Sequence, residues 1–259
     1  MIELLHINAG YGSRQILFDI TAELHHGRLI GIIGPNGCGK STLLKTAAQL
    51  HPHSDGDILL DGKSVTSMPS ETRARHIAYL SQGHHAPDMT VGQLVLHGRF
   101  PHLHFPKRYS GHDREIASAA METLGIASLA DTPLSALSGG MRQSAYLAMA
   151  LAQETDYILL AEPTTYLDIA NQLSLMHLLC RLRNSGKGIA AVMHDLPMAM
   201  TYCDEIWVMK DGRIAERGTP IQICASDILS DLFGTAVKYE NGNYCYQFNA
   251  KSVSDHGMR

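Results

Sequence analysis

Hydrophobic positions along this chain change their rhythm several times, and each change marks an element. Ile2 to Ile7 and Ile16 to Leu24 carry strand-like spacing and are separated by a glycine-rich turn. Leu29 to Ile33 is a short apolar run, the pattern of a strand buried on both faces. Gly34 to Gly39 cannot continue that strand, and a helix is predicted from Lys40 through Leu43, Leu44 and Lys45. Asp57 to Leu60, the Asp61-Gly62 turn and Lys63 to Val65 spell a hairpin, and Ile77 to Ser81 another strand. From His84 to about Thr132 the period turns helical. Thr90 stands where a cap belongs before Val91, Leu94, Val95 and Leu96. Asp113 to Leu124 and the stretch from about 140 to 153 read as further helices. The segment from about 84 to 153 is therefore predicted to be a helical lobe inserted into an α/β core.

The core pattern then resumes. Tyr157 to Ala161 and Gly188 to Met193 read as strands, while Asp168 to Asn184 and Pro197 to Cys203 read as helices. Glu205 to Lys210 and Arg213 to Glu216 form a hairpin about Asp211-Gly212. A last hairpin, Val237 to Glu240 with Tyr244 to Phe248, turns at Asn241-Gly242, and the residues after Ala250 look like a frayed tail. Alternation of strand and helix implies an α/β fold with a mainly parallel sheet.

Composition narrows this little. The 259 residues are 45% hydrophobic and 18% charged, enough for one large core. Net charge is -4, without the basic excess of an electrostatic nucleic-acid binder. The start, MIELLHINAGYG, is not built as a signal peptide, and no run approaches the roughly 20 apolar residues of a membrane helix. A soluble chain is expected, with any membrane role exercised through a partner. Cys38, Cys180, Cys203, Cys224 and Cys245 are scattered and odd in number, as expected of reduced thiols.

Candidate chemistry begins at GPNGCGKST, residues 34 to 42, which fits G-x-x-x-x-G-K-[ST] at Gly34, Gly39, Lys40 and Ser41. Glycines let the backbone turn its N–H groups onto phosphates, and the following helix aims its positive end at the same anion. Lys40 suits the β- and γ-phosphates, and the Ser41 hydroxyl suits Mg²⁺. With Asn36, Gly37, Cys38 and Thr42, these residues are predicted to bind ATP or a related nucleoside triphosphate. Cys38 fills a tolerant loop position.

Further along come LSGGMRQ from Leu137, YILLAEPTTYLD from Tyr157 to Asp168, VMHDL with His194 after a strand, and Gln82 closing another strand. In this order, with the phosphate loop, they resemble the ATP-binding cassette (ABC) family over about residues 1 to 235. HGRFPHLHFPKRYSGHDREI, ALAQETDYILLAEPTTYLDI and VMHDLPMAMTYCDEI are similar to the subunits that energise bacterial import of ferric siderophores, haem or cobalamin. The resemblance implies a P-loop NTPase core with an N-terminal antiparallel β-subdomain and an inserted helical subdomain, followed by a C-terminal hairpin and tail at 236 to 259. It implies Tyr11 stacking on adenine, Gln82 reaching the metal and attacking water, Glu162 as general base, and His194 on the γ-phosphate. It implies that Ser138, Gly139 and Gly140 grip ATP held by a second copy, that Asp168 faces that copy, and that ATP and Mg²⁺ lie in a head-to-tail sandwich dimer. Its partners would be permease subunits at the cytoplasmic face of the membrane and, indirectly, an external binding protein.

Three positions depart from the family pattern. Ala161 stands where an aspartate should help hold the Mg²⁺ shell, and Asp156 lies roughly 16 Å back along an extended strand. Slow hydrolysis with retained ATP binding is therefore expected. Met141 replaces the usual glutamine, and Ser144 stands where a basic residue is common. His84, His85, His97, His102, His104 and His112 lack a zinc spacing and read as surface histidines. Three alternatives stay open: import of haem, cobalamin or a free metal ion; a hydrolysis-impaired regulatory dimer; and a soluble cassette acting on nucleic acid, which the acidic charge disfavours.

Overall fold

The computed structural model describes residues 1–83 and 86–247. The chain opens with two long strands, β1 (Ile2–Tyr11) and β2 (Arg14–Leu24), paired antiparallel. Strand β3 (Leu29–Ile33) then enters the core, and helix α1 (Lys40–Ala47) leaves it. Strands β4 (Asp55–Leu60) and β5 (Lys63–Ser64) complete a four-stranded antiparallel sheet in the order β2-β1-β4-β5. Helix α2 (Ser70–His76) leads into β6 (Ile77–Leu80).

Helices α3 (Val91–His97), α4 (Gly111–Thr123) and α5 (Gly139–Ala152) follow. Thr90 caps α3 in a capping box with Gln93, and Ser110 caps α4 in another with Asp113. These helices bury a core of their own, in which Val91, Val95, Ala117, Met121, Ala145 and Ala148 meet.

The chain returns through β7 (Tyr157–Leu160), α6 (Ile169–Asn184), β8 (Gly188–Val192), α7 (Leu196–Tyr202), β9 (Glu205–Lys210) and β10 (Arg213–Gly218). It ends in two short helices, α8 (Pro220–Ala225) and α9 (Ile228–Phe233), and a hairpin of β11 (Ala236–Glu240) and β12 (Asn243–Gln247). The expected strand end at Phe248 and the tail lie outside the described residues, as do His84 and His85.

The central sheet has six strands in the order β10-β9-β3-β8-β7-β6, all parallel except the edge strand β10. Alternation along each buried strand sorts side chains to two faces. Ile30, Ile32, Leu159, Ala161, Ala190 and Val192 share one cluster with Leu43 and Leu44 of α1 and the inner face of the antiparallel sheet. Leu29, Ile33, Ile158, Leu160, Ile189 and Ala191 share the other with α6 and α7. Ligands of such sheets bind beyond the carboxyl ends of the strands. Here the carboxyl ends of β3, β8, β7 and β6 stand side by side. They deliver the phosphate loop, His194, Glu162 and Gln82 to one edge.

Candidate functional site

The phosphate loop is shaped by its surroundings as much as by its ligand. A side chain at Gly34 would place Cβ 2.3 Å from the Met209 carbonyl oxygen, so only glycine lets β3 turn there against β9. Gly39, with φ 105°, precedes α1 in a left-handed conformation that favours glycine. The first turn of α1 carries no acidic residue, which leaves its positive end open to an anion.

Lys40 is 5% exposed, and its Nζ donates to the carbonyl oxygens of Gly34 and Pro35, each at 2.8 Å. The loop thus holds the ammonium in place through weak acceptors that a phosphate oxygen can replace. Cys38 is buried with Sγ 4.0 Å from that Nζ, and burial pushes its thiol pKa up. Its Sγ would lie 2.9 Å from a Cβ at position 34, so a side chain at Gly34 would collide with it. A cleft of about 480 Å³ opens above, lined by Asn36, Gly37, Gly39, Lys40, Ser41, Thr42, Gln82, Glu162 and His194, together with Arg14 and Ile16. No motif announces Arg14 and Ile16; the pairing of β1 with β2 brings them to the rim.

Glu162 is the first residue past Leu160 and Ala161 and adopts φ 57°, uncommon for a residue with Cβ. The strained turn swings its side chain to the sheet edge, where 14% remains exposed. Its carboxylate is held from three sides. Gln82 Nε2 donates to Oε2 at 2.6 Å, Thr165 Oγ1 donates to Oε2 at 3.3 Å, and His194 Nε2 lies 2.9 Å from Oε1. Sequence reasoning singled out Gln82 and His194 but not Thr165, whose only signal is its place three residues past Glu162.

Two oxygen donors, Ser41 Oγ and the Gln82 side-chain carbonyl, belong to the same cleft, and the Gln82 amide nitrogen is already committed to Glu162. This is the hard-oxygen chemistry that Mg²⁺ accepts beside phosphate and water. The aspartate that the family resemblance implies at position 161 is not among these donors. Ala161 is 1% exposed on the α1 face of β7, and Asp156 is 2.6 Å from His76 Nδ1 at the opposite end of that strand.

The remaining candidate residues sit elsewhere. Tyr11 is half exposed, with its ring 4.2 Å from that of His51, whose Nε2 lies 2.9 Å from the Gly10 carbonyl oxygen. Ser138 caps α5 by accepting from Met141 N–H at 3.3 Å. Gly139 lines a second hollow of about 260 Å³ with Gly83, Arg142, Gln143 and Tyr166, and shares no residue with the first. Gln143 Nε2 donates to the Pro163 carbonyl oxygen at 3.1 Å, tying α5 to the segment after Glu162. Asp168 is exposed and caps α6 through Asn171 N–H at 2.8 Å. Among the described residues no cluster of three or more His, Cys, Asp or Glu side chains forms a metal site, and no helix is long and apolar enough to cross a membrane. The five cysteines are unpaired.

Known proteins share sequence and fold with this chain over most of its length. The ABC transporter family profile matches residues 17–165. The ferric enterobactin transport ATP-binding protein FepC of Escherichia coli (strain K12) is 41% identical over 230 residues, covering 88% of this chain and 85% of that protein. The iron(3+)-hydroxamate import ATP-binding protein FhuC of Bacillus subtilis (strain 168) is 42% identical over 229 residues, with coverage of 88% and 85%. The petrobactin import ATP-binding protein FpuC of Bacillus anthracis is 38% identical over 259 residues, covering 99% and 95%. Among solved structures, a transporter assigned to the metal-chelate type, in an inward-facing conformation, superposes with TM-score 0.80 at 25% identity, covering 96% of each chain. The dimeric bacterial ABC transporter cassette MJ0796 superposes with TM-score 0.76 at 25% identity, covering 85% of this chain and 99% of that one.

Proposed function

The chain belongs to the ABC transporter family, and on that premise we propose that it is the ATP-hydrolysing subunit of an importer for ferric siderophores or a related iron chelate. The observation that carries the reading is the meeting of Lys40, Ser41, Gln82, Glu162 and His194 in one cleft. The chain around that cleft is about as similar to ferric enterobactin and iron(3+)-hydroxamate import proteins as those relatives' 41% and 42% identities express. Haem or cobalamin is the alternative cargo.

Phosphates would enter against the N–H groups of residues 36 to 42. Lys40 would exchange its two carbonyl acceptors for β- and γ-phosphate oxygens, an anionic and therefore stronger pairing. Tyr11, beside His51, would stack on the adenine. Mg²⁺ held by Ser41 and Gln82 would neutralise charge on the phosphates. Glu162 would accept the proton of the attacking water, which requires Gln82 or His194 to release a carboxylate oxygen first. His194 would then turn its Nε2 to the γ-phosphate.

Ser138, Gly139, Gly140 and Asp168 lie outside the phosphate cleft, and this supports their use by a second copy in a head-to-tail dimer with ATP between. Closing and reopening that dimer would drive permease subunits, with the chain held peripherally at the cytoplasmic face. A second reading, a hydrolysis-impaired regulatory dimer, draws on the apolar burial of Ala161.

The test is uptake of radiolabelled ferric siderophore in cells whose only copy of this chain is wild type or Lys40→Ala. Uptake should depend on the wild-type chain and vanish in the variant. Equal uptake in the two strains would refute the reading.

A further inference from the structure

The last hairpin, β11 with β12, lies beyond the part of the chain that matches the family profile. It is docked rather than loose. Val237 is buried, and Tyr244 packs into the cluster that holds Leu196, Met198 and Met200 of α7. Its Tyr246 hydroxyl accepts a hydrogen bond from Leu196 N–H at 3.1 Å, across 50 residues of sequence.

That amide matters because of where it stands. The first N–H groups of any helix lack an intrahelical acceptor. In α7, Leu196 N–H is taken by Tyr246, Pro197 has none, and Met198 N–H is taken by the Asp195 carboxylate at 2.8 Å. On the other side, Met193 N–H donates to the Ile32 carbonyl oxygen at 3.0 Å, extending the β3–β8 ladder. His194 and Asp195 thus span the gap between two pinned amides, one fixed by the sheet and one by the hairpin. Its ring is 46% exposed yet lies 2.9 Å from Glu162 Oε1, a placement that its own burial does not enforce. Tyr246 is itself 37% exposed, but partial burial still raises its phenol pKa, so the hydroxyl stays neutral across the working range.

We propose that Tyr246 is a positioning residue for hydrolysis: through the Leu196 amide the C-terminal hairpin sets the backbone that holds His194 against Glu162. The inference rests on the reading of Glu162 and His194 as the hydrolytic pair. Loss of one neutral hydrogen bond caps the fall in kcat at roughly fivefold, reached when all of its worth goes into holding His194. KM for ATP should stay within about twofold, because no phosphate-loop contact changes.

The experiment compares the full-length wild type, Tyr246→Phe and Tyr239→Phe, the last a more exposed tyrosine of the same hairpin, 58% against 37%, whose hydroxyl does not bond the Leu196 amide. Three quantities are read: kcat and KM for ATP, the pH titration of the His194 ring by NMR, and the hydrogen-exchange rate of the Leu196 amide in the wild type. Tyr246→Phe should lower kcat, shift the His194 ring signals and titration midpoint, and leave KM alone. Tyr239→Phe should change none of these, and the wild-type Leu196 amide should exchange slowly. An unchanged His194 titration in Tyr246→Phe, or a fast-exchanging Leu196 amide, would overturn the proposal. Neither NMR measurement needs turnover. If the wild type fails to hydrolyse ATP, the hydrolytic reading falls while the positioning claim is still decided.

Discussion

Replacing Ala161 by aspartate supplies the carboxylate that the family resemblance implies at this position, with two opposing effects expected. Ala161 is 1% exposed, and its side chain shares a cluster with Leu43, Leu44 and Val192. Its own N–H is spent on the Leu80 carbonyl oxygen at 2.9 Å. Without a cation, an aspartate there is a carboxylate in apolar surroundings. A net penalty of about 2 kcal/mol is a conservative figure for a poorly paired buried polar group. In a domain this large that lowers the melting temperature by roughly 4–8 °C. With ATP and Mg²⁺ present, the same carboxylate gains charge-assisted hydrogen bonds worth about 1.5–3 kcal/mol, or roughly 10- to 150-fold in rate or metal requirement. The assay is phosphate release against Mg²⁺ concentration at saturating ATP, with thermal melts in both states. Ala161→Asp should melt lower without nucleotide, recover with it, and turn over faster at lower Mg²⁺. Identical Mg²⁺ dependence and kcat in the two proteins would refute the claim that the carboxylate is missed. Asp156, occupied with His76, offers no rescue.

Two further predictions concern single charges. Lys40→Ala should weaken ATP binding by at least about 100-fold, measured by titration with a fluorescent nucleotide, because it removes a pre-placed cation rather than a flexible surface lysine. Asp113 is held down from 3.8 to about 2, chiefly by hydrogen bonds from Ser110 and also by Arg99. A depressed carboxylate adds stability that is complete above its ordinary value and drains away as pH falls through the folded value. The stability gap between wild type and Asp113→Asn, read from urea midpoints, should therefore narrow between about pH 4 and pH 2.

How much of this was legible in the sequence varies by element. Strand β3 and helix α1 announce themselves because an apolar run, a glycine loop and Lys40-Ser41 follow one another without interruption. Helix α2 does not: its residues, SETRARH, include no buried one, so no hydrophobic period exists to be read. Helices α8 and α9 each bury a single residue, Ile223 and Leu229, for the same result. At the site, the phosphate loop is local and therefore readable. The grip of Gln82 on Glu162 joins residues 80 apart through a strand order, β3-β8-β7-β6, that is not chain order. Only the family resemblance pointed to it. Thr165 and Tyr246 carry no motif, and their roles arise from contacts made after folding. The Ala161 anomaly was visible as a missing residue type, but its burial among α1 leucines, which sets the cost of restoring the aspartate, was not.

The central claim is that ATP joins two copies of this chain and that Glu162 then ends that state by hydrolysis. It is tested most directly by sedimentation of purified Glu162→Gln with ATP and Mg²⁺, beside phosphate release by the wild type. The variant should accumulate as an ATP-bound dimer, with turnover about 10²- to 10⁴-fold below wild type. A variant that stays monomeric at saturating ATP and releases phosphate at the wild-type rate would contradict the account.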